Sequence, residues 1–204
     1  MYIPRHFEAP SAAAIRDLID RHAFGILASS RAGRIDVSHL PFLRIGDDRL
    51  QCHLARSNPQ AALGDGEAVT AIFTGPHVYV SPSWYAEPGV PTWNYAAVQV
   101  HGNVATFTDR QRLRELVDRL ASIYEAAERA PWAPSYDLAK LDHIIGIDIR
   151  VREIEGKFKL SQNRSAADRS GVVEALRARG SEHGTQIAAM MTGSLLATDR
   201  GRSP

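Results

Sequence analysis

Residues 53–60, which read HLARSNPQ, follow the third predicted strand and have the composition of an anion-binding turn. Asn58 is a favourable N-cap and Pro59 a favourable first helical residue, so the pattern predicts a short helix that begins here. The N–H groups of a helix start, beside the guanidinium of Arg56 and the hydroxyl of Ser57, are the donors that a phosphate monoester needs. The alternative is a surface turn whose arginine is solvated.

Four aromatic residues, Trp84, Tyr85, Trp93 and Tyr95, stand near loops rich in proline and glycine. Such residues can form a rigid apolar wall with polar edges, which suits a flat ring such as the isoalloxazine of a flavin. Aromatic residues also dominate ordinary cores and subunit interfaces. Taken alone, these residues favour the core or interface interpretation, and the cofactor interpretation stays open beside it.

A third group of donors ends the last predicted strand, which reads KFKLSQNR over residues 157–164. Alternation along a strand places Lys157, Lys159 and Ser161 on one face and the apolar residues between them on the other. These donors could reach a phosphate or the polar edge of a flavin. The alternative is a solvated edge strand whose lysines discourage aggregation.

The eight histidines form no close pair such as HxxxH, and no carboxylate cluster accompanies them. A metal site would have to assemble from separate strands, and none is predicted. His39 and His53 lie on neighbouring predicted strands and could face one pocket. The sequence has no GxSxG elbow, P-loop or GxGxxG motif, so it does not support a hydrolase, an NTPase or a Rossmann domain.

Short strands at close spacing are predicted to position these groups. Their ranges are 24–29, 35–45, 50–55, 69–74, 77–81, 93–107, 147–154 and 158–160, with turns at Gly75-Pro76 and Gly156 between the later ones. Helices are predicted after Ser11, after a capping box of Thr108 and Gln111, over 166–179 as far as Gly180, and over about 182–197. The pattern favours a mainly β fold, a barrel with helical additions, over a βαβ sheet.

The composition sets limits on the class of protein. A chain of 204 residues with 44% hydrophobic and 23% charged residues suits one globular domain. Its net charge of +1 points to no polyanionic partner. Cys52 is the only cysteine, the N-terminus lacks a signal-peptide pattern, and no apolar run reaches the roughly 18 residues of a membrane span. We therefore expect a soluble cytoplasmic protein.

Six stretches together resemble the PaiB-like family, the FMN-binding negative transcriptional regulators. They are MYIPRHF (1–7), HLPF (39–42), HLARSNPQ (53–60), GPHVYVSPSWY (75–85), VPTWNY (90–95) and KLSQNRSAADRSGV (159–172). The resemblance extends to about residue 180 and implies a split β-barrel of the kind shared with pyridoxamine-phosphate oxidases and flavin reductases. It also implies a homodimer that holds FMN at the subunit interface.

The resemblance assigns cofactor contacts to residues in five of these six stretches. They are His39, His53, Arg56, Ser57, Asn58, Gln60, Trp84, Tyr85, Trp93, Asn94, Lys159, Ser161, Gln162, Asn163 and Arg164. No catalytic residue is predicted. We expect an FMN-binding split-barrel domain over 1–180 and a C-terminal helix with a disordered tail over 181–204.

DNA is a partner that the family's description implies and the residues support poorly. The two C-terminal helices, with GSEHG at 180–184 between them, superficially resemble a helix-turn-helix. The second helix reads QIAAMMTG at 186–193 and has no arginine or lysine to contact phosphates or guanines. Two alternatives remain: an FMN-dependent oxidoreductase that uses a nicotinamide, and a haem-binding relative with His39 or His53 as ligand.

Overall fold

The computed structural model describes residues 1–199, and side chains as far as residue 193. Within that range the helices are α1 (Ala12–Arg21), α2 (Arg110–Glu125), α3 (Ala166–Arg179) and α4 (Glu182–Asp199). The strands are β1 (Phe24–Arg31), β2 (Arg34–Pro41), β3 (Leu43–Ile45), β4 (Arg49–Ala55), β5 (Ala68–Val80), β6 (Thr92–Phe107) and β7 (Ile144–Lys159). The tail predicted to be disordered lies, from residue 200 onward, outside the described residues. None of the described helices has the length and apolar character needed to cross a membrane.

The chain forms two compact units. The first unit contains Met1–Leu18, Thr74–Val98 and the chain from Glu155 onward, and the second contains Ile19–Phe73 and Gln99–Ile154. Strands β5, β6 and β7 contribute residues to both units. The stretches predicted to contact the cofactor are therefore divided between the two units.

In the second unit the strands are ordered β2-β1-β5-β6-β7-β4-β3. Strand β1 pairs antiparallel with β2 and β5, and β4 pairs antiparallel with β3 and β7. The β1–β2 hairpin turns through Ala32 and Gly33, which both have positive φ, and this backbone twist suits a two-residue hairpin. The predicted mainly β fold with helical additions is confirmed.

Two predicted strand breaks are wrong, because the glycines at those positions serve close packing and not turns. A Cβ on Gly75 would lie 3.0 Å from Leu18 Cδ1. A Cβ on Gly156 would lie 2.8 Å from Ala9 Cβ. The strands therefore run on through both glycines, which gives β5 over Ala68–Val80 and β7 over Ile144–Lys159.

A break that the sequence did not predict separates β2 from β3. Phe42 leaves the ladder: its N–H donates to Ala23 O at 2.8 Å, and its ring packs edge-on against Phe73 with centroids 5.3 Å apart. Pro41, which lacks an N–H donor, ends the preceding strand. The predicted strand over 35–45 is therefore two strands, and the second of them pairs with β4.

The helix caps were predicted with mixed success. Ser11 precedes α1 and its Oγ accepts from Ala14 N at 3.1 Å, and Gly180 ends α3 with φ of +64°, as predicted. The capping box before α2 is wrong, because Asp109 caps that helix and accepts from Arg112 N at 2.9 Å. A carboxylate next to the predicted threonine is an equally favourable cap, so the local pattern did not distinguish the two.

Each unit has its own buried apolar residues. In the second unit Leu27, Phe73 and Ile147 are completely buried between the strands. Helix α2 covers a further cluster there, formed by Leu43, Phe107, Leu113, Leu116, Leu120 and Leu141. In the first unit α3 packs on α4, and Leu176 and Ile187 are completely buried.

Candidate cofactor site

The turn after β4 in the second unit is shaped by Asn58. Its Oδ1 accepts from Gln60 N at 2.9 Å, and its Nδ2 donates to Ser38 Oγ at 2.9 Å. The helix that it caps is a 3₁₀ helix, Pro59–Ala62, of four residues. A helix of four residues has a negligible dipole. Any anion bound at this turn would therefore depend on individual side chains and N–H groups, and not on a helix terminus as predicted.

Gln60 lies inside the second unit and is 2% exposed. Its Nε2 lies 3.1 Å from Leu27 O, 2.9 Å from Ser29 Oγ and 3.1 Å from Asp36 O. These acceptors belong to β1 and β2, so the side chain ties the turn to both strands of the hairpin. Its role in the described structure is architectural.

Arg56 and Ser57 are exposed at the start of the same turn. The Arg56 side chain donates from Nε to Ile144 O at 3.1 Å, which fixes its direction. The carboxylate of Asp142 is close enough to act as a counter-charge for this guanidinium. The pKa of Asp142 is lowered mainly by its hydrogen bond to Arg110, and Arg56 contributes to the same lowering.

His39 and His53 lie on strands that are not hydrogen-bonded neighbours, contrary to the sequence prediction, because β2 pairs with β1 while β4 pairs with β3 and β7. His39 is exposed on β2 and stacks on Phe24 with ring centroids 6.4 Å apart. The Nδ1 atom of His53 is buried and has no hydrogen-bond partner among the described residues. Burial lowers the pKa of His53 and keeps its imidazole neutral.

Lys159 and Arg164 form a cationic cluster with Lys157 in the first unit, at the end of β7. Burial lowers the pKa of Lys159, and the positive charges of Lys157 and Arg164 lower it further. Lys159 Nζ donates to Trp93 O at 2.8 Å and also to the Thr92 hydroxyl. Among the described residues, neither Lys159 nor Arg164 has a carboxylate within ion-pair distance. The positive charges of Lys159 and Arg164 are therefore not neutralised by a carboxylate in direct contact.

Tyr85 lies beneath Arg164, whose guanidinium carbon is 4.4 Å from the centre of the tyrosine ring. The Tyr85 hydroxyl is buried and has no hydrogen-bond partner among the described residues. A Cβ on Gly89 would lie 2.5 Å from the same ring, so the loop is closely packed around it. A buried hydroxyl without a partner is costly, and a ligand donor or acceptor would satisfy it.

The remaining aromatic residues of the first unit do not form a bare wall. Arg179 covers the ring of Trp84, with its guanidinium carbon 4.5 Å from the ring centre. Trp93, by contrast, is 53% exposed and packs edge-on against Tyr79 with ring centroids 6.1 Å apart. Of the three predicted aromatic contacts, Trp93 offers the most open ring surface.

Four polar residues predicted to bind the cofactor surround the turn at the end of β7. Asn94 is completely buried and its Nδ2 donates to Ser161 Oγ at 3.0 Å. Ser161 has a φ of +62°, and the Gln162 side chain accepts from Leu160 N at 2.6 Å. Asn163 is exposed next to this turn. Asn94, Ser161 and Gln162 thus shape the backbone that presents Arg164.

Asp168 is a site residue that sequence reasoning missed. It is 3% exposed on α3 and accepts from Ala86 N at 2.9 Å and from Glu87 N at 3.2 Å. It therefore fixes the loop that carries Tyr85. The only available signal was its position inside the matching stretch 159–172, since spacing alone does not connect it to residue 86.

The antiparallel sheet with added helices is the fold of flavin-binding split-barrel proteins. The structure of the FAD and haem binding protein from Mycobacterium smegmatis matches with a TM-score of 0.63 and 18% identity, over 85% of this chain and 80% of that one. The flavocytochrome Anf3 from Azotobacter vinelandii matches with a TM-score of 0.61 and 14% identity, over 77% of this chain and 72% of that one. At these identities the likeness shows the fold alone.

The family follows from the sequence. Residues 1–153 match the family described as "Putative FMN-binding domain". The chain is also 33% identical to the protease synthase and sporulation protein PAI 2 of Bacillus subtilis, over 96% of this chain and 98% of that protein. The chain therefore belongs to the PaiB-like family of FMN-binding domains. The predicted family and the predicted cofactor, FMN, are confirmed, while the individual contact residues stay predictions.

Proposed function

We propose that this chain is a regulatory flavoprotein that holds the phosphate of FMN at the cationic end of β7. The observation that carries the proposal is the cluster of Lys157, Lys159 and Arg164, in which burial lowers the pKa of Lys159 most and repulsion from the other two cations lowers it further. A phosphate dianion placed there would offset that repulsion and accept charge-assisted hydrogen bonds. The donor chemistry of the cluster fits a phosphate monoester.

The buried hydroxyl of Tyr85 supports the same location. It has no partner among the described residues, and its ring lies against the guanidinium of Arg164. A flavin bound here would meet an unsatisfied hydroxyl and, at Trp93, an exposed aromatic surface. FMN, when bound, supplies redox chemistry that is its own, and these residues supply binding and orientation.

The test compares FMN with riboflavin, which has the same ring and no phosphate. We expect Arg164→Ala to weaken FMN at least roughly tenfold, the worth of one charge-assisted bond, and to change riboflavin affinity much less. Arg179→Ala is the matched control, because it removes a guanidinium from an aromatic ring in the same unit. An equal loss for both flavins would place the phosphate elsewhere.

We propose further that regulation does not proceed through sequence-specific DNA binding by this chain alone. Helix α4 packs through Ile187, Ala188 and Met191, which are buried, and its described part carries no lysine or arginine. The Bacillus subtilis relative is named as a protease synthase and sporulation protein, and its link to sporulation supports a regulatory role. A cytoplasmic location suits this role and the single buried thiol of Cys52.

Anisotropy measurements at physiological salt, with and without FMN, test this part of the proposal. We expect micromolar or weaker binding to every promoter fragment and similar binding to random DNA. Nanomolar binding to one fragment would instead establish direct repression. Turnover of NADH or NADPH by the flavin-loaded protein would favour the oxidoreductase alternative.

We also propose a homodimer with FMN at the subunit interface. Support comes from exposed apolar residues on β1 and β2: Phe24 is 68% exposed, Ile35 71% and Val37 53%. β2 is an edge strand, and such a surface is usually covered in solution. Light scattering should give a dimer mass for the wild type and a monomer mass for Val37→Asp. A wild-type monomer at micromolar concentration would contradict the proposal.

A further inference from the structure

Two histidines from distant parts of the sequence are in contact in the first unit. His77 lies on β5, and His183 is the second residue of α4. Their ring centroids are 4.4 Å apart and the ring planes make an angle of 70°. Both side chains are exposed, so a small ligand could reach them.

Hydrogen bonds fix the proton on the same nitrogen of both rings. His77 Nδ1 lies 3.1 Å from Gly75 O, and His183 Nδ1 lies 3.2 Å from His77 O. A carbonyl oxygen only accepts, so each Nδ1 carries a proton and each neutral ring keeps its lone pair on Nε2. An imidazole that donates Nδ1–H to a carbonyl and offers Nε2 is the arrangement found in metal-ligating histidines.

We propose that His77 and His183 form a two-imidazole site for a divalent transition-metal ion, with Cu²⁺ bound most tightly. Imidazole suits copper, nickel and zinc, and copper leads the general order of affinity. Metal–nitrogen bonds of about 2.0–2.1 Å place two ring centres roughly 5 Å apart, close to the 4.4 Å that separates these rings. No cluster of three ligating side chains occurs among the described residues, so water fills the remaining positions.

Trp93 provides a local reporter. Its ring centroid lies 6.4 Å from that of His77. A paramagnetic ion such as Cu²⁺ held by the two histidines should quench Trp93 fluorescence, whereas Zn²⁺, which has a filled d shell, should bind more weakly and leave the emission unchanged. Trp93→Phe should lose most of the quenching while it keeps the metal.

The experiment titrates Cu²⁺ into the full chain as purified, with calorimetry and fluorescence as readouts. We expect one ion per chain, at least roughly tenfold weaker binding in His77→Gln and in His183→Gln, and unchanged binding in the exposed control His143→Gln. Wild-type affinity in either substituted protein, or an equal loss in the control, would overturn the proposal.

Discussion

The Arg56–Gln60 turn and the end of β7 were both predicted to contact the cofactor, and they differ in how their polar groups are used. In the turn, Gln60 is bonded to the β1–β2 hairpin and Asn58 to the turn itself. Arg56 has Asp142 nearby as a counter-charge. At the end of β7, Lys159 faces Lys157 and Arg164 and no acid. Similar donors can thus differ greatly in their availability to a ligand.

The difference has a physical cause. An amide donor that is already bonded within the fold, as in Gln60, is not free to bind a ligand. Like charges held together cost free energy, and an anion that binds between them recovers it. Unbalanced charge at the end of β7 is therefore a better indicator of a binding site than the polar composition of the turn.

The largest expected effect comes from removing both cations, in the variant Lys159→Ala/Arg164→Ala. Two charge-assisted bonds of about 1.5–3 kcal/mol each predict at least roughly 100-fold weaker FMN binding. Thermal stability should change little, because the relief of repulsion offsets the loss of the Lys159 hydrogen bonds and of the Arg164–Tyr85 contact. Flavin fluorescence titration and a melting curve measure these two quantities. If the double variant keeps the wild-type affinity for FMN, the end of β7 is not the phosphate site.

Gln60→Ala should produce the opposite pattern. It removes the donor for Leu27 O, Ser29 Oγ and Asp36 O, so the free energy of unfolding should fall by about 2–4 kcal/mol. FMN affinity of the folded protein should hardly change. Asn103→Ala is the control, because that exposed amide donates to Gly66 O and should cost about 1 kcal/mol or less. Urea denaturation measures the free energy of unfolding, and flavin titration measures the affinity for FMN. A variant that loses FMN affinity but keeps its stability would show that Gln60 contacts the ligand.

Arg56→Ala should have a smaller effect on FMN than the double variant. If the exposed guanidinium contacts the phosphate, as the resemblance implies, affinity falls roughly tenfold. Stability should change by less than about 1 kcal/mol, since the bond to Ile144 O is on the surface. Titration of FMN gives the answer directly, and unchanged affinity would show that the turn is only structural.

The smallest expected effect concerns pH and His53. Burial lowers the pKa of His53 below its usual 6.5, so between these two values the unfolded chain binds more protons. The contribution of His53 to the free energy of unfolding is therefore greatest above pH 6.5, and it declines as the pH falls toward the folded-state pKa. Denaturation at about pH 5 and about pH 7.5 should show a smaller difference for His53→Gln than for the wild type.

Local features were predicted well because nearby residues decide them. The cap at Asn58, the glycine end of α3 at Gly180 and the start of α1 after Ser11 all depend on a few neighbouring side chains. Gly75 and Gly156 were misjudged because glycine marks both turns and close packing. Only the neighbours across the fold, Leu18 and Ala9, distinguish these two roles.

The sequence by itself determined the family, the cofactor class, most helix and strand positions and the residue types of the candidate site. Tertiary structure alone decided which amides are bonded inside the fold, as with Asn94 and Gln60, and which cations have no carboxylate to neutralise them, as with Lys159 and Arg164. It also decided that His183 contacts His77. Such pairings join residues far apart in the chain, and they follow from strand order and helix packing, which local side-chain patterns do not encode.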